Sequence, residues 1–271
     1  MQRDNCSTIT AKGCFKSQFI NSMNRISTYR PYFFIVIFTC CLFSINTAFS
    51  QQNFFNVPAS EITPKKKIFF QQQFNVFTYR IQSNSHFCYG LGKGLEVGFN
   101  VSHIGKNFKN VPQWEVNYSN VNYPFSPLLL ATAQYRLDIY KHFGFSIGTQ
   151  SGFNIASRIQ NKRFTTFTYG NLYYHNNPKH IKFTLGGFYA DQNFLGKNTV
   201  GIMAGFEVPI IAYKIHLMGD FISGNHPMGA SVVGVNVFFS RFISLCAGPI
   251  LPNPNSNNSW GGVIELNILQ R

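Results

Sequence analysis

After residue 67 the chain alternates apolar and polar side chains with a period of two, and this limits its fold more than any other feature. Only an extended strand puts neighbouring side chains on opposite faces, so such a run describes a sheet with two different environments. In Leu95 to Ser102 one face carries Leu95, Val97, Phe99 and Val101, and the other carries Glu96, Gly98, Asn100 and Ser102. Phe143 to Ile155 repeats the pattern with Phe143, Phe145, Ile147 and Phe153 against Gly144, Ser146, Gly148 and Gln150. Val200 to Ile210 sets Val200, Ile202, Ala204, Phe206 and Val208 against Gly201, Gly205 and Glu207. No stretch after residue 50 has the length of apolar sequence that a membrane helix needs.

Twelve strands are predicted, over 68–77, 83–91, 95–105, 128–140, 143–155, 164–176, 180–192, 199–211, 213–223, 230–240, 243–252 and 260–269. Their lengths suit tilted strands that cross a bilayer. The connections alternate too. Those after strands two, four, six, eight and ten are short, as in Gly92-Lys93-Gly94 and Lys141-His142, whereas those after the odd strands from three onward are longer and polar, as in Lys106 to Pro127. Bacterial outer-membrane barrels have short periplasmic turns and long outer loops, a rhythm that a soluble sandwich has no reason to follow. Aromatic residues collect at both strand ends, for example Tyr140, Phe143, Tyr213 and Phe239 beside short turns, and Tyr79, Phe164, Tyr189 and Trp260 near long loops. Rings of this kind settle at headgroup level.

Composition agrees. Charged residues make up 12% of the 271 residues, against about 25% in soluble domains, while aromatics reach 17%. Mean hydropathy is nonetheless only −0.05, because uncharged polar residues replace the missing charge. The net charge of +14 comes without an arginine cluster or a helix to present one, so no nucleic-acid partner is expected. Lys65-Lys66-Lys67, the densest basic run, reads as a solvated boundary or a contact with anionic headgroups.

Residues 1–50 read as a leader. From Met23, a possible functional start, Arg25 and Arg30 precede the apolar run Tyr32 to Phe43, and Ala48-Phe49-Ser50 offers small residues for cleavage after Ser50. The flank of Cys40-Cys41 is a poor lipoprotein signal. Removal of the leader leaves Cys88 and Cys246, on predicted strands two and eleven. Three strand positions at ~4.8 Å each exceed the ~7 Å limit of a disulfide, so free thiols are expected. Residues 51–67 are expected as a short periplasmic segment ahead of a barrel over 68–271.

The chain resembles the small outer-membrane β-barrels of Bacteroidetes described as transporter-like or channel proteins. Three features carry the resemblance: the glycine-punctuated hairpin Tyr89 to Gly98, the strand and loop Asp220 to Asn225, and the Pro252-Asn253 loop followed by a strand containing Glu265. It implies an outer-membrane barrel inserted by the barrel-assembly machinery. The C-terminus Ile268-Leu269-Gln270-Arg271 departs from the aromatic end that such machinery commonly reads.

Alternation points Glu96, Arg136, Asp138, Lys182, Glu207, Lys214, His216 and Glu265 inward. All but Glu265 lie toward the short-turn ends, so a mixed-sign charge network is expected in the periplasmic half of the lumen, either bracing it or selecting solutes. Trp114, Tyr118 and Tyr123 make the 106–127 loop the candidate binding segment. Gly90-Leu91-Gly92-Lys93-Gly94 lies between strands, so it is a hairpin turn and not a phosphate loop. The seven histidines show no metal-ligand spacing. No nucleophile elbow or lipid-facing Ser–His pair is present, so neither enzyme activity nor a cofactor is expected. The reading is an outer-membrane barrel in contact with lipid, a channel or transporter for an unidentified small solute. The alternative is a structural or ligand- or partner-binding barrel without an open pore, and a lipid-modifying enzyme ranks last.

Overall fold

The computed structural model describes residues 53–117, 124–156, 164–176, 179–197, 199–256 and 258–270. The predicted leader, with Gln51 and Gln52, lies outside them. Twelve long strands form one closed antiparallel ring. They are β1 (Ile68–Phe77), β2 (Arg80–Gly92), β3 (Leu95–Asn107), β5 (Leu128–Tyr140), β6 (Phe143–Asn154), β7 (Phe164–Asn176), β8 (Ile181–Ala190), β9 (Thr199–Ile211), β10 (Ile215–Ile222), β11 (Ala230–Ser240), β12 (Ile243–Pro252) and β13 (Gly261–Leu269). Each pairs with its neighbours in the chain, and β1 pairs with β13 to close the wall. The thirteenth strand, β4 (Gln113–Glu115), folds back on the far end of β3 within the long loop. A single helical turn, α1 (Gln192–Leu195), replaces the end predicted for strand seven. Asp191 caps it by accepting a hydrogen bond from the Phe194 N–H at 2.9 Å.

The alternation produces two surfaces. Val97, Phe99, Leu129, Ile147, Leu172, Leu185, Ile202 and Val233 face outward and are exposed. Tyr140, Phe143 and Phe239 flank one end of this apolar belt, and Tyr79, Phe164, Tyr189 and Trp260 flank the other. A closed ring leaves no open sheet edge and pairs the wall strands with one another, which hydrocarbon requires. The molecule is a transmembrane antiparallel β-barrel.

The interior is not hollow. Residues 53–67, expected as a segment ahead of the barrel, lie within it. Phe54, Phe55, Val57 and Ala59 are fully buried and join a cluster with Leu130, Phe167, Phe188, Met203, Met218, Ile222 and Val232 from the wall. Phe125, Phe194 and Leu195 enter the same cluster from the long-loop end. The segment makes a tight turn in which Asn53 pairs with Pro58 and the Phe54 N–H bonds to the Val57 carbonyl at 2.9 Å. It then runs to the short-turn end, where the Lys66 N–H donates to the Gly90 carbonyl at 2.8 Å, and enters β1. We call residues 53–67 the plug.

Its fit depends on an inward glycine. A Cβ on Gly205 would lie 2.1 Å from the Phe54 ring, so the ring occupies the space that any other residue would fill. Gly148 similarly receives the ring of Tyr169, at 2.3 Å from an added Cβ.

Candidate functional site

The plug is held by wall side chains that the alternation placed inside. Asp220 of β10 is the first. Its Oδ2 accepts backbone N–H bonds from Phe55 at 3.0 Å and Val57 at 2.9 Å, and from Asn56 between them. Three successive N–H groups turned toward one carboxylate form a small anion cradle, and hydrogen bonds to an ionised acceptor are stronger than neutral ones. Glu96 of β3 is the second. Its Oε2 accepts from both the Thr63 N–H and the Thr63 hydroxyl, each at 2.8 Å. Lys182 of β8 is the third. Its ammonium lies 2.9 Å from Glu61 of the plug and 2.9 Å from Glu207 of β9. Glu207 also meets His216 Nδ1 at 2.7 Å.

Neutral contacts fill the intervals. His175 Nε2 donates to the Ala59 carbonyl at 2.8 Å, Gln134 donates to the Glu61 carbonyl at 2.8 Å, and Ser146 bonds to the Ser60 hydroxyl at 2.8 Å. Backbone groups in the lumen would otherwise be desolvated without partners, at about 1–3 kcal/mol each.

The predicted charge network divides among several locations. Glu96, Glu207 and His216 are buried and Lys182 half-buried toward the short-turn end, around the plug. Arg136 and Asp138 form a separate pair at 2.7 Å, joined by the Tyr173 hydroxyl. The Asp138 side chain is 69% exposed, so this pair sits at the rim. Glu265 is buried on β13, where it accepts from Asn267 at 2.8 Å. Lys214 departs from the expected inward position. It lies in the turn at 212–214, where Tyr213 takes a left-handed conformation with φ of 65° and ends the alternation. Trp114 is exposed on β4, and Tyr118 and Tyr123 lie outside the described residues. Cys88 and Cys246 are buried free thiols. Among the described residues no group of three His, Cys, Asp or Glu side chains could hold a metal.

Sequence reasoning missed Asp220, which holds the plug from the wall, and Glu61, the plug's own partner for Lys182. Asp220 was within reach: with Phe221 outward, period two puts it inward. Glu61 has no periodicity around it to give it a direction.

The plug does not fill the lumen evenly. A cavity of about 320 Å³ lies at the long-loop end against β1 and β2, lined among others by Asn56, Asn75, Phe77, Arg80, Gln82 and Asn84. A second, of about 100 Å³, lies beside it and shares Asn56, Asn84, His103, Phe194 and Met228. A third, of about 20 Å³, shares Asn53, His86 and Gln150 with the second and reaches Glu96. The three follow the β1–β3 face and extend around to β6. A β-bulge shapes them. The β2–β3 register shifts at Ser83/Ser85, and His103 adopts φ of 60°, so Ser102 and His103 both line the second cavity. Strict alternation would have turned His103 outward. Asn84 Oδ1 holds the bulge by accepting from the His103 N–H at 2.9 Å.

No family model matches the sequence, and no curated protein matches it either. Similar solved structures are barrels. Outer membrane phospholipase A from Escherichia coli is 10% identical with a TM-score of 0.42, covering 79% of this chain and 95% of that one. The translocator domain of the autotransporter NalP from Neisseria meningitidis is 9% identical with a TM-score of 0.36, covering 76% of this chain and 88% of that one.

Proposed function

We propose that this protein is a bacterial outer-membrane barrel that passes a small solute along its β1–β3 face, closed at rest by its own plug. The short turns then face the periplasm and the long loops face outward, following the loop rhythm of such barrels. The observation that carries the reading is the way the lumen is filled. A barrel built only as a wall could fill its interior with apolar side chains at no desolvation cost. Here the filling is a separate segment, held by hydrogen bonds and an ion-pair cluster that can be exchanged for water, and a row of polar cavities runs beside it. Twelve strands lie between the eight that leave only side-chain room and the sixteen of wide pores, so plug movement would change the free cross-section substantially.

The burial of Phe54, Phe55 and Val57 favours the second reading, a barrel that binds a ligand or partner without passage. On either reading the contacts are membrane lipid and the assembly machinery, catalysis has no part, and kinship with small Bacteroidetes barrels rests on the three features that carry the resemblance, the Tyr89 to Gly98 hairpin foremost.

Planar-bilayer conductance separates the two. The parent protein is expected to be silent or to open rarely. The Glu61→Ala/Asp220→Ala double variant loses two plug attachments while keeping the Lys182–Glu207 pair of the wall, and it is expected to conduct. If that variant inserts, keeps its β-sheet spectrum and stays silent, the passage reading fails.

A further inference from the structure

We propose that the 320 Å³ chamber at the long-loop end is a binding site for a small uncharged polyol of the mono- or disaccharide class. This deepens the passage reading and rests on it for its location at the entrance.

The argument begins with volume. The chamber alone reaches the lower end of the roughly 300–1,000 Å³ range of ligand sites, and the adjoining 100 Å³ cavity extends it inward.

The lining chemistry comes next. Asn56, Asn75, Gln82 and Asn84 present carboxamides. Each amide has an acceptor oxygen and two donor hydrogens, which suits hydroxyls that both donate and accept. Several of these groups are partly free. Asn75 and Asn56 use Oδ1 to accept from Gln73, and Asn84 uses Oδ1 to accept from His103. The NH₂ groups of Asn75 and Asn84 have no hydrogen-bond partner among the described residues, whereas the Asn56 side chain also bonds to Asp220. Gln82 is half-buried, and its side chain has no hydrogen-bond partner among the described residues at all. Amides held in a half-buried wall with unused donors call for a polar ligand or water.

Apolar surface accompanies them. Phe77, Phe194 and Met228 line the chamber, and the C–H faces of a sugar ring need such surfaces. Charge argues for a neutral ligand. The ionic groups of the lining are Arg80 and Glu115, 3.9 Å apart, and Arg80 also stacks on Phe77 at 4.5 Å. They neutralise each other, so no net field is left to hold an anion or a cation. His103, on the chamber wall, donates from Nδ1 to the Phe125 carbonyl at 3.4 Å.

The test is calorimetric titration of the refolded full chain in detergent with glucose, maltose and glucose 6-phosphate. Glucose or maltose is expected to bind in the millimolar range or tighter, and the phosphorylated sugar more weakly. Gln82→Leu keeps the side-chain size and removes an amide that has no role in the fold. It should weaken saccharide binding about tenfold without shifting thermal unfolding. No heat from either neutral sugar, tighter binding of glucose 6-phosphate, or unchanged affinity in Gln82→Leu overturns the proposal. Conductance of the plug-released variant is scored separately. Conductance without saccharide binding rejects the solute class alone. Binding with a silent plug-released variant keeps the site and rejects the passage.

Discussion

The two sides of the lumen are built on different terms. Along β7 to β11 the inward residues include large apolar side chains and charges that hold the plug directly or through Lys182, such as Phe167, Phe188, Met203, Lys182, Glu207 and Asp220, with neutral polar groups such as Asn171 and His175 between them. Along β1 to β3 amides are the most numerous inward side chains: Gln71, Gln73, Asn75, Gln82, Asn84 and Asn100. The first side packs against the plug and anchors it. The second leaves space beside it. The comparison teaches that one alternating pattern can produce both a clamp and a lined duct, depending on which side chains take the inward positions.

Substitutions on the anchoring side should be costly. Lys182→Met leaves Glu61 and Glu207 without their cation, and breaking a buried pair in this way costs about 3–5 kcal/mol. Thermal unfolding of the refolded protein measures it, and a loss under 1 kcal/mol would remove the clamp from the account. Phe167→Ala should cost about 3 kcal/mol or more, because its ring packs on Phe188 at 5.4 Å and on Phe194 at 5.4 Å. Gly205→Leu forces Phe54 out of its seat and is expected to cost about 1–3 kcal/mol. It should also loosen the segment and speed trypsin cleavage at Lys65 to Lys67, which already lie at the surface, and a cleavage rate equal to the parent would mean that the plug tolerates the loss of its fit.

The long-loop end offers a pH test. His226, between β10 and β11, is buried with its ring edge-on to Phe188 at 5.9 Å, and burial holds its pKa below the usual histidine value. The fold therefore favours the neutral ring. That stability is complete above about pH 6.5 and declines as pH falls, because the unfolded chain takes up a proton first. His226→Gln should flatten this decline in a pH series of melting temperatures, and an unchanged slope would assign the acid sensitivity elsewhere. The smallest effect is expected on the duct side. Gln82→Ala should stay within about 0.5 kcal/mol of the parent, since no contact in the fold is lost.

The wall was legible in the sequence because period two and turn spacing are local properties. The predicted limits 68–77, 128–140, 164–176, 199–211, 230–240 and 243–252 coincide with β1, β5, β7, β9, β11 and β12. Inward charges such as Glu96 and Glu207 followed from the same rule. Features set by long-range contact were not legible. The plug has no periodicity, and Phe54, Phe55 and Val57 become core only when Gly205 and Asp220, some 150 residues away, leave a seat and an acceptor. The bulge at His103 adds one residue and reverses the facing of what it displaces. No single run of sequence marks it.

The plug also bears on how the molecule is assembled. It leads directly into β1, and β1 forms the seam with β13, joining Phe69 to Leu269 across nearly the whole chain. The strand that completes the cylinder is therefore tethered to the segment that occupies it. Once the seam is hydrogen-bonded, the Phe54 to Val57 turn has to pass the short-turn end of a closed ring to reach its seat. Zipping the last strand and stowing the segment are thus coupled by geometry, and a late seam gives the plug its easiest way in.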